Sequence, residues 1–90
     1  MSTLKIVIKS EPFEDIAAGI KKIEYREVKP FWESRLYEGN KTKRAYKYIE
    51  FINGYNPDAR RMLVVYEGFQ KKGGYFNILL GKIVKKPHRL

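Results

Sequence analysis

The sequence predicts an α+β fold that is mostly β: a small, mostly antiparallel barrel of about five to six strands, with one amphipathic helix after the first strand and a second short helix. Alternation of apolar and polar residues recurs along the chain, and a clear helical stripe separates the first two strands. A parallel sheet would need repeated crossover helices, which this pattern lacks. The 90 residues predict one domain covering positions 1–90.

The first part of the chain is predicted to form a strand, a helix and a second strand. Residues 4–9 alternate aliphatic side chains with lysines, as in a half-buried strand. Ser10 is then the expected helix N-cap, and Pro12 suits the first turn. Alternation returns over residues 22–28, which predicts the second strand. The helix between them ends at Gly19 and has apolar residues at i, i+3, i+4 and i+7, namely Phe13, Ile16, Ala17 and Ile20.

The rest of the chain is predicted to form a short helix and three more strands. Apolar spacing over residues 31–37 is typical of one or two helical turns, which Gly39 ends. Turn-forming residues predict a long hairpin loop over 53–58 and another loop over 68–74. The strand-like segments are residues 46–52, 62–67 and 75–84.

Composition makes polyanions the expected class of partner. Lysine and arginine number 19 against 10 acidic residues, a formal charge of +9 that suggests RNA, DNA or nucleotides. Seven tyrosines offer planes on which bases stack, although most aromatic residues of a small β protein fill its core. With no cysteine and one histidine, we expect neither metal nor cofactor. No apolar run approaches the ~20 residues of a membrane span, so the expected location is cytoplasmic.

A cluster of charged residues follows the predicted helix. Lys21 lies in the connection after Gly19, and strand periodicity places Glu24 and Arg26 on the same face of the second strand. Arg26 is suited to bidentate binding of a phosphate or a base edge. Glu24 would hold either cation or accept a proton, and Lys21 would act as a point charge or, when neutral, as a base. The alternative is a solvated strand face with a weak salt bridge.

This pattern, Gly19-x-Lys21-x-x-Glu24-x-Arg26, resembles the G-x-K-x-x-E-x-R signature of the ASCH family (activating signal cointegrator homology domains), whose fold is similar to PUA domains. The order of elements is similar as well, because the signature follows a strand and a helix. The resemblance covers most of the chain, and its specific part is this signature. It implies a PUA-like barrel with a cleft beside the helix, lined by the signature residues, that binds RNA or modified nucleotides.

One branch of that family resembles an amidohydrolase acting on acetylcytidine. Its members have a lysine at the position of Lys21 and a nucleophilic threonine at the position of Glu24. A carboxylate does not replace a hydroxyl in acyl transfer, so the mechanism does not carry over intact. Lys21 and Glu24 are nevertheless the candidate catalytic residues, and Glu67 is a candidate for the distal glutamate of that branch.

Other candidates lie outside the signature. Trp32 is either a base-stacking residue or, as is more usual for a lone tryptophan beside a helix, part of the core. Tyr55, in the predicted 53–58 loop, is a candidate to cover a ligand. We expect a basic tail over residues 85–89, in which His88 is disordered. The lysines and arginines that are candidates for phosphate contacts, or for simple solvation, are Lys41, Lys43, Arg44, Lys85 and Lys86.

Three functions remain open from the sequence. The first is a module that binds RNA or a nucleotide through Gly19, Lys21, Glu24 and Arg26, with Trp32 and Tyr55 as further contacts. The second is a hydrolase on the same site, acting on a modified nucleoside or on RNA. The third is a protein-interaction module with an exposed apolar patch. We expect a monomer.

Overall fold

The structure, a computed structural model, describes residues 3–39 and 41–89, which form two helices and seven strands. In chain order they are β1 (Thr3–Ile8), α1 (Ser10–Ala17), β2 (Ile23–Glu27), α2 (Pro30–Leu36), β3 (Tyr37–Glu38), β4 (Thr42–Lys43), β5 (Tyr48–Asn53), β6 (Arg61–Lys72) and β7 (Tyr75–His88).

Five of the strands form a curled sheet in the order β1-β5-β6-β7-β2. All neighbours in it are antiparallel except β1 and β5, which run parallel. The prediction of a mostly β, mostly antiparallel α+β fold with a helix after the first strand is confirmed. The sheet curls into a half-barrel, and its edge strands β1 and β2 are not paired with each other. The gap between these two unpaired edge strands is called the seam below.

The core lies on one face of the sheet, the inner face, where α1 packs against β5 and β7. Burial of these apolar side chains is the main stabilising contribution to the fold. One connected cluster of buried residues contains Leu4, Ile6, Ile8, Phe13, Ile16, Leu36, Ile49, Phe51, Met62, Val64, Phe69, Phe76, Ile78 and Leu80.

The ends of α1 differ in part from the prediction. Lys9 is the N-cap, and the hydroxyl of Ser10 bonds to Asn53 instead of capping the helix, so the prediction of a Ser10 cap is wrong. Gly19 ends the helix as predicted, with φ of +76°. Its N–H donates to the Ile16 carbonyl and that of Ile20 to Asp15, which is a Schellman motif. Ile20 was expected in the buried stripe but is 75% exposed, because it follows the cap.

The β6–β7 hairpin is longer than predicted, and two predictions there are wrong. The segment 68–74 is mostly strand, because β6 continues through Gly68 and the chain turns only after Lys72. Gly68 has φ of +93°, and the pairing of β6 with β7 shifts register around it. The expected basic tail belongs to β7, where His88 pairs with Arg61. Pro87 is accommodated since β2 pairs with β7 only up to Leu79, which leaves that side of β7 free.

A second, two-stranded sheet joins β3 to β4 immediately after α2, an element the sequence did not predict. None of the helices in the described ranges 3–39 and 41–89 has the length and apolar character needed to cross a membrane.

Candidate functional site

A cleft opens at the seam, on the inner side of β2. Its volume is about 700 Å³. Four parts of the chain surround it: the end of β1, the start of α1, the inner face of β2 and the loop after β5. The lining residues are Val7, Ile8, Lys9, Ser10, Pro12, Glu24, Arg26, Asn53, Gly54 and Tyr55.

Two charged residues of β2, Glu24 and Arg26, point to the inner face of the sheet. Glu24 is paired with Ile78 and Arg26 with Phe76, and both β7 partners are fully buried core residues. Directly opposed residues in an antiparallel pair share a face, so Glu24 and Arg26 lie on the core side while Tyr25 points outward. Glu24 is 6% exposed. The predicted common face of Glu24 and Arg26 is therefore correct, and it is not a solvated face.

Glu24 contacts both cations of the signature, Lys21 and Arg26. Arg26 donates from Nε to Glu24 Oε2 at 2.8 Å, and its Nη2 lies 2.7 Å from the same oxygen. Lys21 Nζ lies 3.4 Å from Oε1. The three side chains thus converge within ion-pair distance, with the carboxylate most deeply buried and both cations partly exposed.

Arg26 is held in place from three sides. Besides Glu24, its guanidinium lies 5.0 Å from the centre of the Trp32 ring, a cation–π distance. Nη2 also reaches the Val7 carbonyl of β1 at 3.5 Å, a weak hydrogen bond that crosses the seam. None of its described hydrogen bonds uses Nη1. The guanidinium is therefore held in one orientation by groups of the protein itself.

The rim of the cleft carries polar groups and one exposed aromatic ring. Ser10 donates a hydrogen bond to Asn53 Oδ1 at 3.2 Å, which ties the start of α1 to the end of β5. Lys9 lies beside them, and Tyr55 on the following loop is 90% exposed. An oriented guanidinium, a lysine and a free aromatic ring can together bind an anionic group joined to a planar one.

The remaining predicted residues have different positions. Gly19 belongs to the cap of α1 and, with Lys21, lines a separate small depression of about 180 Å³, so these two signature residues are not among those that line the cleft. Trp32 packs against the core and against Arg26, so one side of its ring faces that cation. Glu67 is an exposed residue of β6 and is not among the residues that line the cleft. Lys85 and Lys86 lie in β7, and they do not line it either.

Sequence reasoning missed the polar rim. Ser10 and Asn53 carry ordinary helix-start and turn signals, and nothing local indicates that their side chains meet across 43 positions of the chain. The proximity of β1 and β2 at the seam depends on the curl of the whole sheet, which no short motif encodes.

Comparisons with protein families, with curated proteins and with solved structures found no match to this chain. Within residues 3–39 and 41–89, no group of three or more His, Cys, Asp or Glu side chains is placed to hold a metal ion. The resemblance to the ASCH family therefore remains an interpretation of the signature and of the order of elements.

Proposed function

We propose that this protein is an ASCH-like binding module for RNA or modified nucleotides, and that the seam cleft is its binding site. One observation carries the proposal: a buried carboxylate, Glu24, holds the guanidinium of Arg26, and both residues line the cleft. The ASCH resemblance described above, which rests in part on the same two residues, implies the same ligand class.

Burial of the Glu24 carboxylate costs folding free energy, which its pairing with the partly exposed Arg26 has to offset. Removing a carboxylate from water costs several kcal/mol, and apolar residues of similar size often stabilise such a position equally well or better. The inner face of β2 packs against Phe76 and Ile78, where aliphatic side chains would serve a purely structural purpose. A carboxylate buried beside a cleft, where an apolar side chain would fit, is therefore a candidate for a role in ligand binding.

The geometry favours an anionic, planar ligand. Arg26 has Nη1 available for a phosphate or base oxygen, and its orientation by Glu24 and Trp32 reduces the entropy lost on binding. Tyr55 supplies a ring on which a base can stack. The formal charge of +9 would attract polyanions over distances of the Debye length.

Binding is favoured over hydrolysis by the way the charged groups are used. A cation stands at each carboxylate oxygen of Glu24, Arg26 at Oε2 and Lys21 at Oε1, so the carboxylate serves to hold these two cations. The Ser10 hydroxyl in the cleft donates to an amide oxygen, which is not a base that would activate it.

The test compares Arg26→Met with Arg61→Met. Arg61 forms a similar pair with Glu50, 3.4 Å apart, but on the outer face of the sheet, so it controls for loss of one arginine charge. Fluorescence anisotropy with a labelled single-stranded RNA should show Arg26→Met weakening binding by ~1–3 kcal/mol, and Arg61→Met much less. Equal effects of the two variants, or no RNA or nucleotide binding by the natural protein at low salt, would refute the proposal.

A parallel assay addresses the hydrolase alternative. The natural protein is incubated with acetylated nucleosides and with labelled RNA, and products are separated by chromatography. We expect no turnover. Turnover that disappears in a folded Lys21→Ala variant would replace the binding proposal with an enzymatic one.

A further inference from the structure

A second depression, which we call the basic groove, lies on the other side of α2. It is formed by α2, the β3–β4 hairpin and β6, and its volume is about 780 Å³. Among the residues that the structure describes, four cations and one carboxylate, Glu33, line it. The cations are Lys41, Lys43, Arg44 and Lys71.

Two of these cations are fixed by hydrogen bonds to the backbone. Lys43 donates from Nζ to the Phe69 carbonyl at 2.9 Å and lies 4.4 Å from the centre of the Phe69 ring. Arg44 donates from Nε to the Tyr37 carbonyl at 3.0 Å. Freely moving surface lysines lose more side-chain entropy when they bind an anion than groups already held in position.

The groove keeps a surplus of positive charge. Its carboxylate, Glu33, lies 3.8 Å from Lys71 Nζ, and both side chains are nearly half exposed, so this pair is weak. Lys41 has φ of +78°, a conformation that glycine or asparagine adopts more easily than lysine. A lysine at this turn position therefore costs backbone strain, and its charge adds to that of the other cations in the groove.

The groove and the cleft lie at the same end of the sheet. Lys71 of β6 pairs with Phe76 of β7, which in turn pairs with Arg26 of β2. The three residues form one row across neighbouring strands, so the backbones at Lys71 and Arg26 are about 10 Å apart. Between the two depressions lies α2, with Trp32 against Arg26 on one side and Glu33 in the groove on the other.

We propose that the basic groove binds backbone phosphates of a single-stranded nucleic acid whose neighbouring nucleotide occupies the cleft. Only the placement of a neighbouring nucleotide in the cleft rests on the proposed function. The groove can hold phosphates whether or not the cleft holds a base. Phosphodiesters are the favoured ligand because a guanidinium and several ammonium groups, with one carboxylate beside them, are the donors that bind phosphate oxygens. Binding of an acidic peptide is a separate outcome of the test below.

The test measures how affinity depends on salt. Labelled oligouridylate of about ten nucleotides is titrated into three proteins: the natural chain, Lys41→Gln/Lys71→Gln, and the matched control Lys5→Gln/Lys47→Gln, whose lysines are exposed and do not line the groove. Each phosphate contact contributes about 0.7 to the slope of log K against log salt for single strands. The magnitude of that slope should be smaller by about 1.4 in the groove variant and unchanged in the control.

Further measurements separate the groove from the cleft and from general destabilisation. Glu33→Gln removes the carboxylate and should tighten oligouridylate binding, an effect that partial unfolding does not produce. Binding of uridine monophosphate should be unchanged in the groove variant and weakened by Arg26→Met. Three results would refute phosphate binding by the basic groove. They are an unchanged salt slope in the groove variant, an equal change of slope in the control variant, and binding of polyglutamate as tight as that of oligouridylate. If the groove variant changes the slope but Arg26→Met does not weaken binding, only the proposal that the cleft binds a nucleotide is refuted.

Discussion

The variants Glu24→Leu and Arg26→Met, made singly and together, separate the effect of the ion pair on stability from its effect on binding. Arg26→Met leaves the 6% exposed Glu24 with Lys21, 3.4 Å away, as its remaining ion-pair partner among the described residues. Loss of one partner of a buried pair costs ~3–5 kcal/mol, and the remaining lysine and the partial exposure of Arg26 favour the lower end, about 3 kcal/mol. Glu24→Leu should cost about 1–2 kcal/mol, because Arg26, 26% exposed, can turn toward water.

The double variant should be much more stable than the sum of these losses. Independent effects would remove about 4–5 kcal/mol, whereas two apolar side chains against Phe76 and Ile78 should keep the protein within about 1 kcal/mol of the natural chain. Urea unfolding followed by the fluorescence of Trp32, the single tryptophan, gives all four free energies. The double variant should no longer bind RNA. A double variant as unstable as the sum would refute the inference that the pair is kept at a cost to stability.

Two further predictions concern Tyr66 and Gly19. Burial, with a contribution from Tyr46, raises the pKa of Tyr66 from 10.0 to about 12, and its hydroxyl has no hydrogen-bond partner among the described residues. The unfolded chain releases this proton first, so stability present below pH 10.0 should fall by about 1–2 kcal/mol as the pH rises toward 12. Urea unfolding against pH should show this fall in the natural chain and a smaller one in Tyr66→Phe; equal falls would contradict it. Gly19→Ala should cost about 1–2 kcal/mol because of the φ of +76°, without changing RNA affinity in folded protein; lost affinity would make Gly19 a ligand contact.

The sequence predicted the partners in the site better than their surroundings. Alternation along β2 correctly predicts that Glu24 and Arg26 share a face. It does not predict that this face is the inner one, because hydrophobicity alone would place Ile23 and Tyr25 inside. The inward direction depends on pairing with β7, a partner about fifty positions further along the chain.

The β6–β7 hairpin illustrates a second limit of sequence reasoning. Glycine and lysine at 68–74 are typical of a loop, yet bulges let β6 continue, since they shift the register and break the period-two pattern. Lys71 consequently lies on a strand, directly opposite Phe76, and reaches the basic groove. The parallel pairing of β1 with β5 also depends on tertiary packing and is not encoded in either segment alone.

The central claim, that the seam cleft binds nucleotides through Arg26, is tested most directly by nuclear magnetic resonance. Uridine monophosphate is titrated into ¹⁵N-labelled protein and the backbone and arginine side-chain signals are followed. We predict saturable shifts confined to the end of β1, the start of α1, Arg26 and the loop containing Tyr55. Shifts confined to the outer face of the sheet, or none with either this nucleotide or a short RNA, would contradict the account.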